Sequence, residues 1–249
     1  MFSTILRNVQ NVKYRVIDQR QSTVRRLREL YKNGGVSEVW RGIRDYYKND
    51  IADSTYQDTR VDNQERWDLI ESHLTAEHNS LVDLGCADGY FVEKAGELGL
   101  DVQGFEHNLN RVTRTADRLA SLQNVSVQQK TIAPTNITDV PDTDVILFLA
   151  VHHHWVWQYG WTEATAMFRT VCDRANLVFY EPPGNTALQS DEELDPADSE
   201  QYYRTILHDL FGETVIVREI EMMAYKGNDR SDPLFVLDTS NYQYDQENQ

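Results

Sequence analysis

The chain has 249 residues, 40% of them hydrophobic, which is enough for one large domain or for a domain with an extension. No stretch approaches the roughly 20 apolar residues of a membrane-spanning helix, and the first residues lack the apolar segment and cleavage site of a secretion signal. These features argue against an integral membrane or secreted protein, and they predict a cytoplasmic one.

The charge of the chain is strongly negative, with a net value of −16, and its basic residues are 18 arginines and only 6 lysines. An acidic, lysine-poor composition is typical of proteins adapted to concentrated salt, where carboxylates hold water and their mutual repulsion is screened. The charge is uneven, because residues 1–50 carry +6 and the remainder carries −22. The two cysteines, Cys86 and Cys172, are expected to be reduced and unpaired, as in a cytosolic fold.

Residues 1–50 are predicted to form a basic helical extension. Val24, Leu27 and Tyr31 recur at helical spacing, and a second amphipathic segment begins at Ser37. Such an arm docks on its own acidic domain, lies on an anionic membrane surface or holds a polyanion, and these alternatives stay open.

The main domain is predicted to span residues 51–240, with a polar tail at 241–249 that we expect to be disordered. A first helix is predicted from Asn63 to Leu74. Two arginines of this region, Arg60 and Arg66, either reach an acidic ligand or form ordinary surface salt bridges, and the second use is the commoner one for arginines.

A strand, a tight turn, a helix and a second strand are then predicted in the stretch from Ser80 to Asn108. The apolar run from Leu81 to Leu84 has the length and branching of a buried strand. A turn of small residues follows, and a helical pattern begins at Tyr90. The second strand ends in an acid, Glu106. This order predicts the first unit of a nucleotide-binding α/β sheet.

The residues of the turn indicate which ligand it suits. Gly85 and Gly89 have no Cβ, so the backbone can bend sharply and a ligand can lie directly on it. The spacing is G-x-A-x-G, and Asp83 and Asp88 flank it. Two carboxylates would repel a diphosphate, whereas they suit a cation that carries an amino group. Glu106 is placed to accept both hydroxyls of a ribose in a bidentate hydrogen bond.

This stretch resembles motif I and the acidic end of the second strand of class I S-adenosylmethionine (SAM) methyltransferases. The resemblance implies a Rossmann-like, seven-stranded sheet with helices on both faces and a C-terminal antiparallel hairpin. It also implies that SAM is the cofactor. The residues expected to bind it are Asp83, Gly85, Cys86, Ala87, Asp88, Gly89, Glu106, Thr131, Ile132 and Leu149. The family usually has an acid that binds the adenine amino group at the position where this chain has Thr131, so the chain departs from the family pattern there.

The later elements alternate between helices and strands in the order that such a sheet requires. An acidic loop is predicted at 184–198, and the last two strands are predicted to pair as an antiparallel hairpin at the edge of the sheet. The predicted helices run from Asn110 to Leu122, Thr162 to Ala175 and Gln201 to Phe211, and the predicted strands are Val125 to Val127, Asp144 to Val151, Leu177 to Tyr180, Thr214 to Ile220 and Leu234 to Asp238.

The best candidates for a catalytic base are His153 and His154. The run FLAVHHHW resembles the fourth-strand motif of small-molecule methyltransferases, and histidine titrates near neutral pH. Alternatively, these histidines cap the strand or form hydrogen bonds at its end. Consecutive residues that leave a strand point in alternating directions, so we expect no metal site in the histidine run. Glu181 is a candidate second base, orients a histidine or binds loop amides.

The chain is therefore predicted to be a SAM-dependent methyltransferase that acts on oxygen of a small molecule or sugar. Trp155, Trp157 and Trp161, with Tyr159, either stack on a sugar or base or pack as a lid. The segment YKNGGVSEVWRGIRDYY is similar to N-terminal segments of enzymes that modify surface glycans. With the salt adaptation, this resemblance implies haloarchaeal glycan assembly, with a hexuronic acid as acceptor, on a lipid carrier at the inner face of the membrane, and with Arg60 or Arg66 as its ionic partner.

Two alternatives come from different classes of function. The histidine run followed by FYEPP is distantly similar to RNA phosphate-capping methyltransferases, although an acidic domain disfavours broad phosphate contacts. A non-catalytic SAM-binding regulator also fits, because the adenine contacts at Thr131 are altered. An NAD-dependent reductase fits least, since the turn has the wrong spacing for a dinucleotide.

Overall fold

The computed structural model describes residues 62–190, 193–224 and 231–244. The predicted basic extension at 1–50 lies outside the described residues and stays a prediction. Within the described ranges, no helix is long and apolar enough to cross a membrane.

Helices and strands alternate through most of the domain, as the sequence predicts. The helices are α1 (Asn63–His73), α2 (Tyr90–Glu97), α3 (Leu109–Arg118), α4 (His152–Tyr159), α5 (Trp161–Asp173) and α6 (Pro196–Phe211), and the strands are β1 (Ser80–Leu84), β2 (Asp101–Glu106), β3 (Val125–Gln129), β4 (Thr143–Leu149), β5 (Ala175–Glu181), β6 (Ile216–Ala224) and β7 (Ser231–Asp238).

The seven strands form one sheet in the order β3-β2-β1-β4-β5-β7-β6. Strands β1 to β5 are parallel to one another, whereas β7 is antiparallel to both β5 and β6. The predicted fold is confirmed, including the antiparallel pair at the C-terminal edge of the sheet.

Strand β4 is covered on both sides, which is why its sequence is apolar throughout. Val145 and Leu147 belong to a core that includes side chains of α1 and α2. Ile146 and Phe148 point to the other face, into a core that includes side chains of α5 and α6. The carboxyl ends of β1, β2, β4 and β5 therefore form a rim held between two packed layers of helices.

The end of the fourth strand differs from the prediction. The strand stops at Leu149, because Ala150 takes a left-handed conformation with φ of +56° that a strand cannot continue. Helix α4 begins at His152, so the histidine run is helical and does not extend the strand.

Helix α6 begins earlier than predicted, inside the segment that the sequence analysis assigns to an acidic loop. Asp195 is its N-cap, and the Asp195 carboxylate accepts the backbone N–H of Ala197 at 3.0 Å. Pro196 follows at a first-turn position, where a missing N–H costs nothing.

The polar tail begins as packed polypeptide. The rings of Tyr242 and Phe211 lie 5.1 Å apart, and the N–H of Tyr244 donates to Asp173 at 2.9 Å. These contacts belong to residues 241–244, and residues 245–249 lie outside the described part. The disordered tail at 241–249 stays a prediction.

Candidate functional site

The turn after β1 is bent back onto the end of β2. The N–H groups of Gly85 and Cys86 both donate to the carbonyl of Phe105, at 2.8 and 3.0 Å. Gly85, Ala87 and Gly89 have positive φ values of +78°, +48° and +72°. Glycine is needed at two of these positions for space as well, since a Cβ on Gly85 would lie 2.8 Å from Val151 and one on Gly89 would lie 2.3 Å from Thr115.

Glu106 holds the turn from the end of β2. Its Oε2 accepts the N–H of Ala87 at 3.0 Å, and its Oε1 accepts the N–H of Asn108 at 2.8 Å. Burial by itself would raise the pKa of this carboxyl, but the hydrogen bond to His107, the positive charge of that imidazole and the Asn108 N–H lower the pKa below its ordinary value. Glu106 is therefore ionised at neutral pH. Its Oε1 already accepts from Asn108 and His107, whereas its Oε2 accepts only from Ala87 among the described contacts and has a further lone pair for a ligand hydroxyl.

Asp83 is a buried acid beneath the turn. The Asp83 Oδ2 atom has no hydrogen-bond partner among the described residues. Burial raises the pKa of Asp83 to about 7; the Arg66 guanidinium acts in the opposite direction, and the Glu106 carboxylate adds to the rise. A buried carboxyl oxygen that lacks a partner is a place where a ligand group would be held.

Asp88, on the outer side of the turn, is paired with an arginine. Arg114 of α3 contacts its carboxylate at 3.3 Å, and Arg118 donates to its carbonyl at 2.6 Å. Arg118 also pairs with Glu93. The negative charge that the sequence analysis attributes to Asp88 is therefore largely balanced, and the acids that favour a cationic ligand are Asp83 and Glu106.

Glu181, at the end of β5, forms a fully buried ion pair with Arg66 of α1. The Arg66 guanidinium also donates to Asn63 at 3.1 Å and lies 4.9 Å from the centre of the Phe91 ring. The expectation that arginines of this region form ordinary surface salt bridges is wrong for Arg66. Arg60 lies outside the described residues.

The position of Arg66 has a signal in the sequence that the sequence analysis did not use. Asn63, Arg66, Trp67 and Ile70 are spaced at three and four residues, which places them on one face of α1, and all four are buried. An arginine on the apolar face of an amphipathic helix needs a buried partner. The sequence near Arg66 does not indicate which residue this partner is, because Glu181 is 115 residues away.

The strand register puts the two buried acids on the same face of the sheet. Asp83 lies opposite Leu147, and Leu147 lies opposite Phe179. Glu181 is two residues beyond Phe179 and therefore points to the same side, nearer the rim. Arg66 reaches this side from α1. Its guanidinium is therefore the positive charge beside both Asp83 and Glu181.

The loop after β5 is fixed by a contact that the sequence analysis missed. The N–H of Gly184 donates to the buried carboxylate of Asp232 at 2.7 Å. A Cβ on Gly184 would lie 1.9 Å from the carbonyl of Ser231, so glycine is required for this close approach. The beginning of β7 thus anchors the loop that directly follows Glu181.

The three histidines have three different environments. His152 is fully buried and its Nδ1 lies 2.9 Å from the Tyr180 hydroxyl; burial lowers the pKa of His152 to about 3, so it is neutral. His153 is half-buried and His154 is exposed, with their rings 4.0 Å apart. Because these histidines are helical, their side chains do not alternate in direction as they would after a strand. The reason given above for expecting no metal site therefore does not apply. Within the described ranges, no group of three His, Cys, Asp or Glu is placed to hold a metal ion.

The aromatic residues after the histidines divide between core and surface. Trp155 is buried against Phe148, with ring centres 4.7 Å apart. Tyr159 and Trp161 are half-buried against the same core. Trp157 remains 44% exposed, and its ring lies nearly perpendicular to both His153 and His154.

The other residues predicted to bind the cofactor are spread along the rim. Thr131 is exposed just beyond β3, while Ile132 and Leu149 are buried. Cys86 packs against Gly104, whose added Cβ would lie 2.8 Å from its Sγ, and burial raises the pKa of its thiol well above the ordinary value. Cys86 is therefore a packing residue of the turn with an unreactive thiol. The cofactor and catalytic assignments made from the sequence stay predictions.

No protein-family model matches the chain, and no curated protein sequence matches it either. Solved structures do share its fold. WbdD, a bifunctional kinase-methyltransferase, is similar with a TM-score of 0.57 at 17% identity, over 78% of this chain. The match covers 42% of WbdD, so this chain corresponds to less than half of that protein.

Two further structures with the same fold are methyltransferases solved with a ligand. Magnesium protoporphyrin IX methyltransferase (ChlM) from Synechocystis PCC 6803, with bound SAM, has a TM-score of 0.50 at 18% identity and covers 94% of this chain and 96% of its own. The 16S rRNA methyltransferase RmtF, with S-adenosylhomocysteine, has a TM-score of 0.50 at 15% identity over 71% of this chain and 62% of its own. The chain therefore has the fold of these methyltransferases.

Proposed function

We propose that this protein is a SAM-dependent methyltransferase that acts on a hydroxyl oxygen of a small molecule or sugar. The observation that carries the proposal is the charge at the rim: Asp83, Glu106 and Glu181 are buried there, and Arg66 is the buried cation among them. Buried negative charge in excess is costly, and a cationic ligand relieves that cost.

The residues present fit SAM. The Asp83 oxygen without a described partner would accept the amino group, and the Glu106 Oε2 atom would accept a ribose hydroxyl through its remaining lone pair. Gly85 and Gly89 leave the backbone bare between these two acids. Bound SAM supplies a methyl carbon on a sulfonium, and the electron pair of the broken carbon–sulfur bond stays on sulfur. ChlM and RmtF, which share this fold, are solved with SAM and with S-adenosylhomocysteine.

The chain itself must orient the acceptor and remove its proton. An alcohol is a weak nucleophile until it loses its proton, and His153 or His154 is the base in this proposal. Their different exposures, half-buried and exposed, give them different access to solvent. Glu181 acts instead as an anchor, since its carboxylate is bound to Arg66. Alignment of the acceptor oxygen with the methyl carbon supplies most of the rate.

The finer parts of the sequence-based hypothesis stay proposals. They are a sugar of a surface glycan as acceptor, a lipid carrier, contact of residues 1–50 with a membrane surface, a salt-adapted cytoplasmic setting and, as one version, a hexuronic acid acceptor. Arg66 gives no support to a hexuronic acid, because it is buried and bound to Glu181. RNA methylation and a non-catalytic SAM-binding role are the alternatives.

Calorimetry in concentrated potassium chloride tests the proposal, with SAM, S-adenosylhomocysteine and NAD as ligands. We expect the first two to bind and NAD not to bind. Glu106→Ala is expected to weaken SAM binding by about 2 kcal/mol, because it removes a charge-assisted hydrogen bond to the ribose. Glu97→Gln, at an exposed site on α2, is the control and should leave the affinity unchanged. Binding of NAD but not SAM would refute the proposal.

A further inference from the structure

We propose that Trp157, together with His153 and His154, forms an acceptor platform that binds the face of a neutral pyranose ring. This inference rests on the proposed function, since the platform is the acceptor side of the same rim. It names the substrate class that the rim is built to take.

The platform combines an apolar plane with polar ring atoms. Trp157 is 44% exposed, whereas Trp67 and Trp155 are buried. The ring centres of His153 and His154 lie 5.0 and 5.6 Å from that of Trp157, at interplanar angles of 80° and 86°. An indole face suits the C–H face of a sugar ring, and imidazole nitrogens at its side suit the hydroxyls at the ring edge.

The position of the platform follows from the start of α4. Side chains of a helix lean toward its N-terminus, so the Trp157 indole lies back over the turn that holds His153 and His154. Val151, just ahead of the helix, is close enough to Gly85 that an added Cβ would lie 2.8 Å from its Cγ2. The start of α4, which carries the platform, therefore adjoins the turn on which the methyl donor is proposed to lie.

Helix α4, which carries the platform, is packed against the core of the domain. His152 contacts the Tyr180 hydroxyl at 2.9 Å, and Trp155 packs 4.7 Å from Phe148. Both contacts lie on the inward side of α4. The exposed Trp157 thus has a fixed position at low entropic cost, which is what a binding residue requires.

Three arginines near the rim are paired with carboxylates, which favours a neutral ring over an anionic one. Arg66 is bound to Glu181, Arg114 to Asp88 and Arg118 to Glu93. These arginines are thus committed to carboxylates, and a uronate would have to compete with a carboxylate for any of them. A nucleotide base also stacks on indole, but its phosphates meet an acidic surface, which disfavours it.

In the reaction, the acceptor hydroxyl of the bound ring gives its proton to an imidazole nitrogen of His153 or His154. The oxygen forms a bond to the methyl carbon as the carbon–sulfur bond breaks and its electron pair goes to sulfur. The products are a methyl ether, neutral S-adenosylhomocysteine and an imidazolium, which returns the proton to solvent.

Saturation-transfer NMR of the full chain tests the platform, with the methyl pyranosides of glucose, galactose and mannose as probes, both with and without saturating S-adenosylhomocysteine. We expect at least one probe to bind and Trp157→Ala to weaken it about tenfold or more, while Trp157→Phe retains binding. Ile216→Ala removes a similarly exposed apolar side chain from the edge strand and serves as the matched control.

The outcomes separate this inference from the proposed function. Absence of binding for all three pyranosides, or binding that Trp157→Ala leaves unchanged, overturns the platform. A preference for the methyl glucuronoside or for uridine monophosphate overturns the neutral-sugar assignment. The protein could bind a pyranoside through Trp157 and yet not bind S-adenosylhomocysteine. That result would support the platform and refute only the methyl-donor site. Unchanged calorimetric affinity of Trp157→Ala for S-adenosylhomocysteine shows that this variant is folded.

Discussion

Removing either member of the Arg66–Glu181 pair should destabilise the fold strongly. Both side chains have no exposed surface, so the remaining charge would be left in the interior without its partner. Loss of one member of such a buried pair costs about 3–5 kcal/mol. Set against a total stability of about 5–15 kcal/mol for a domain, this is a large fraction.

The two single variants should not be equivalent. Arg66→Met leaves the Glu181 carboxylate unpaired and also removes the cation that lowers the pKa of Asp83. Glu181→Gln leaves Arg66 in place, where it still faces Asp83. We therefore expect Arg66→Met to lower the free energy of unfolding more than Glu181→Gln does. The double variant should lose less free energy of unfolding than the sum of the two single variants. The reason is that each substitution removes the charge that the other one leaves unpaired.

Denaturant unfolding in concentrated potassium chloride, followed by tryptophan fluorescence, measures these free energies. The exposed pair of Arg204 and Glu200 on α6 is the control, and Arg204→Met should cost no more than about 0.5 kcal/mol. The reasoning is refuted if each single variant lowers the free energy of unfolding by less than about 1 kcal/mol and the two effects are additive. The buried pair would then contribute far less to stability than its burial implies.

Two further predictions concern the turn and the acid beneath it. The pKa of Asp83 is raised from 3.8 to about 7, so the protonated acid favours folding below pH 4 and this contribution is lost as pH rises through 7. Asp83→Asn should therefore raise the free energy of unfolding at pH 8 by up to about 4 kcal/mol and leave it nearly unchanged at pH 4, while SAM binding weakens; unfolding curves at the two pH values check this, and equal effects at both would contradict it. Gly89→Ala should destabilise the protein much more than Gly99→Ala, since both glycines have positive φ but only an added Cβ at Gly89 meets a neighbour within 4 Å, at Thr115. Similar thermal midpoints for these two variants would mean that backbone conformation alone sets the cost.

The sheet could be predicted because its signals are local. Each parallel strand is a short apolar run, and the order of helices and strands leaves few topologies. The end of β4 could not be predicted, since the left-handed conformation of Ala150 has no signal in the residue type. That single residue turned a predicted strand end into the start of a helix and changed the directions of the three histidines.

The proximity of Glu106 to the glycine turn could be predicted for the same reason. Glu106 contacts Ala87 only 19 residues away, within one predicted unit of the sheet. The pairing of Arg66 with Glu181 joins the first helix to the fifth strand, 115 residues apart, and only the assembled sheet brings them together. Arginines on α3 that bind Asp88 and Glu93 were also missed, because helix α3 and the turn come into contact through tertiary packing.

The ion pair between α1 and β5 also sets the order in which the site can be completed during synthesis. Arg66 leaves the ribosome 115 residues before its partner. At typical elongation rates, that interval is on the order of ten seconds. During this time the glycine turn and Glu106 are already available, but the Arg66 guanidinium has no Glu181 carboxylate to pair with. The rim is therefore finished only after the fifth strand joins the sheet.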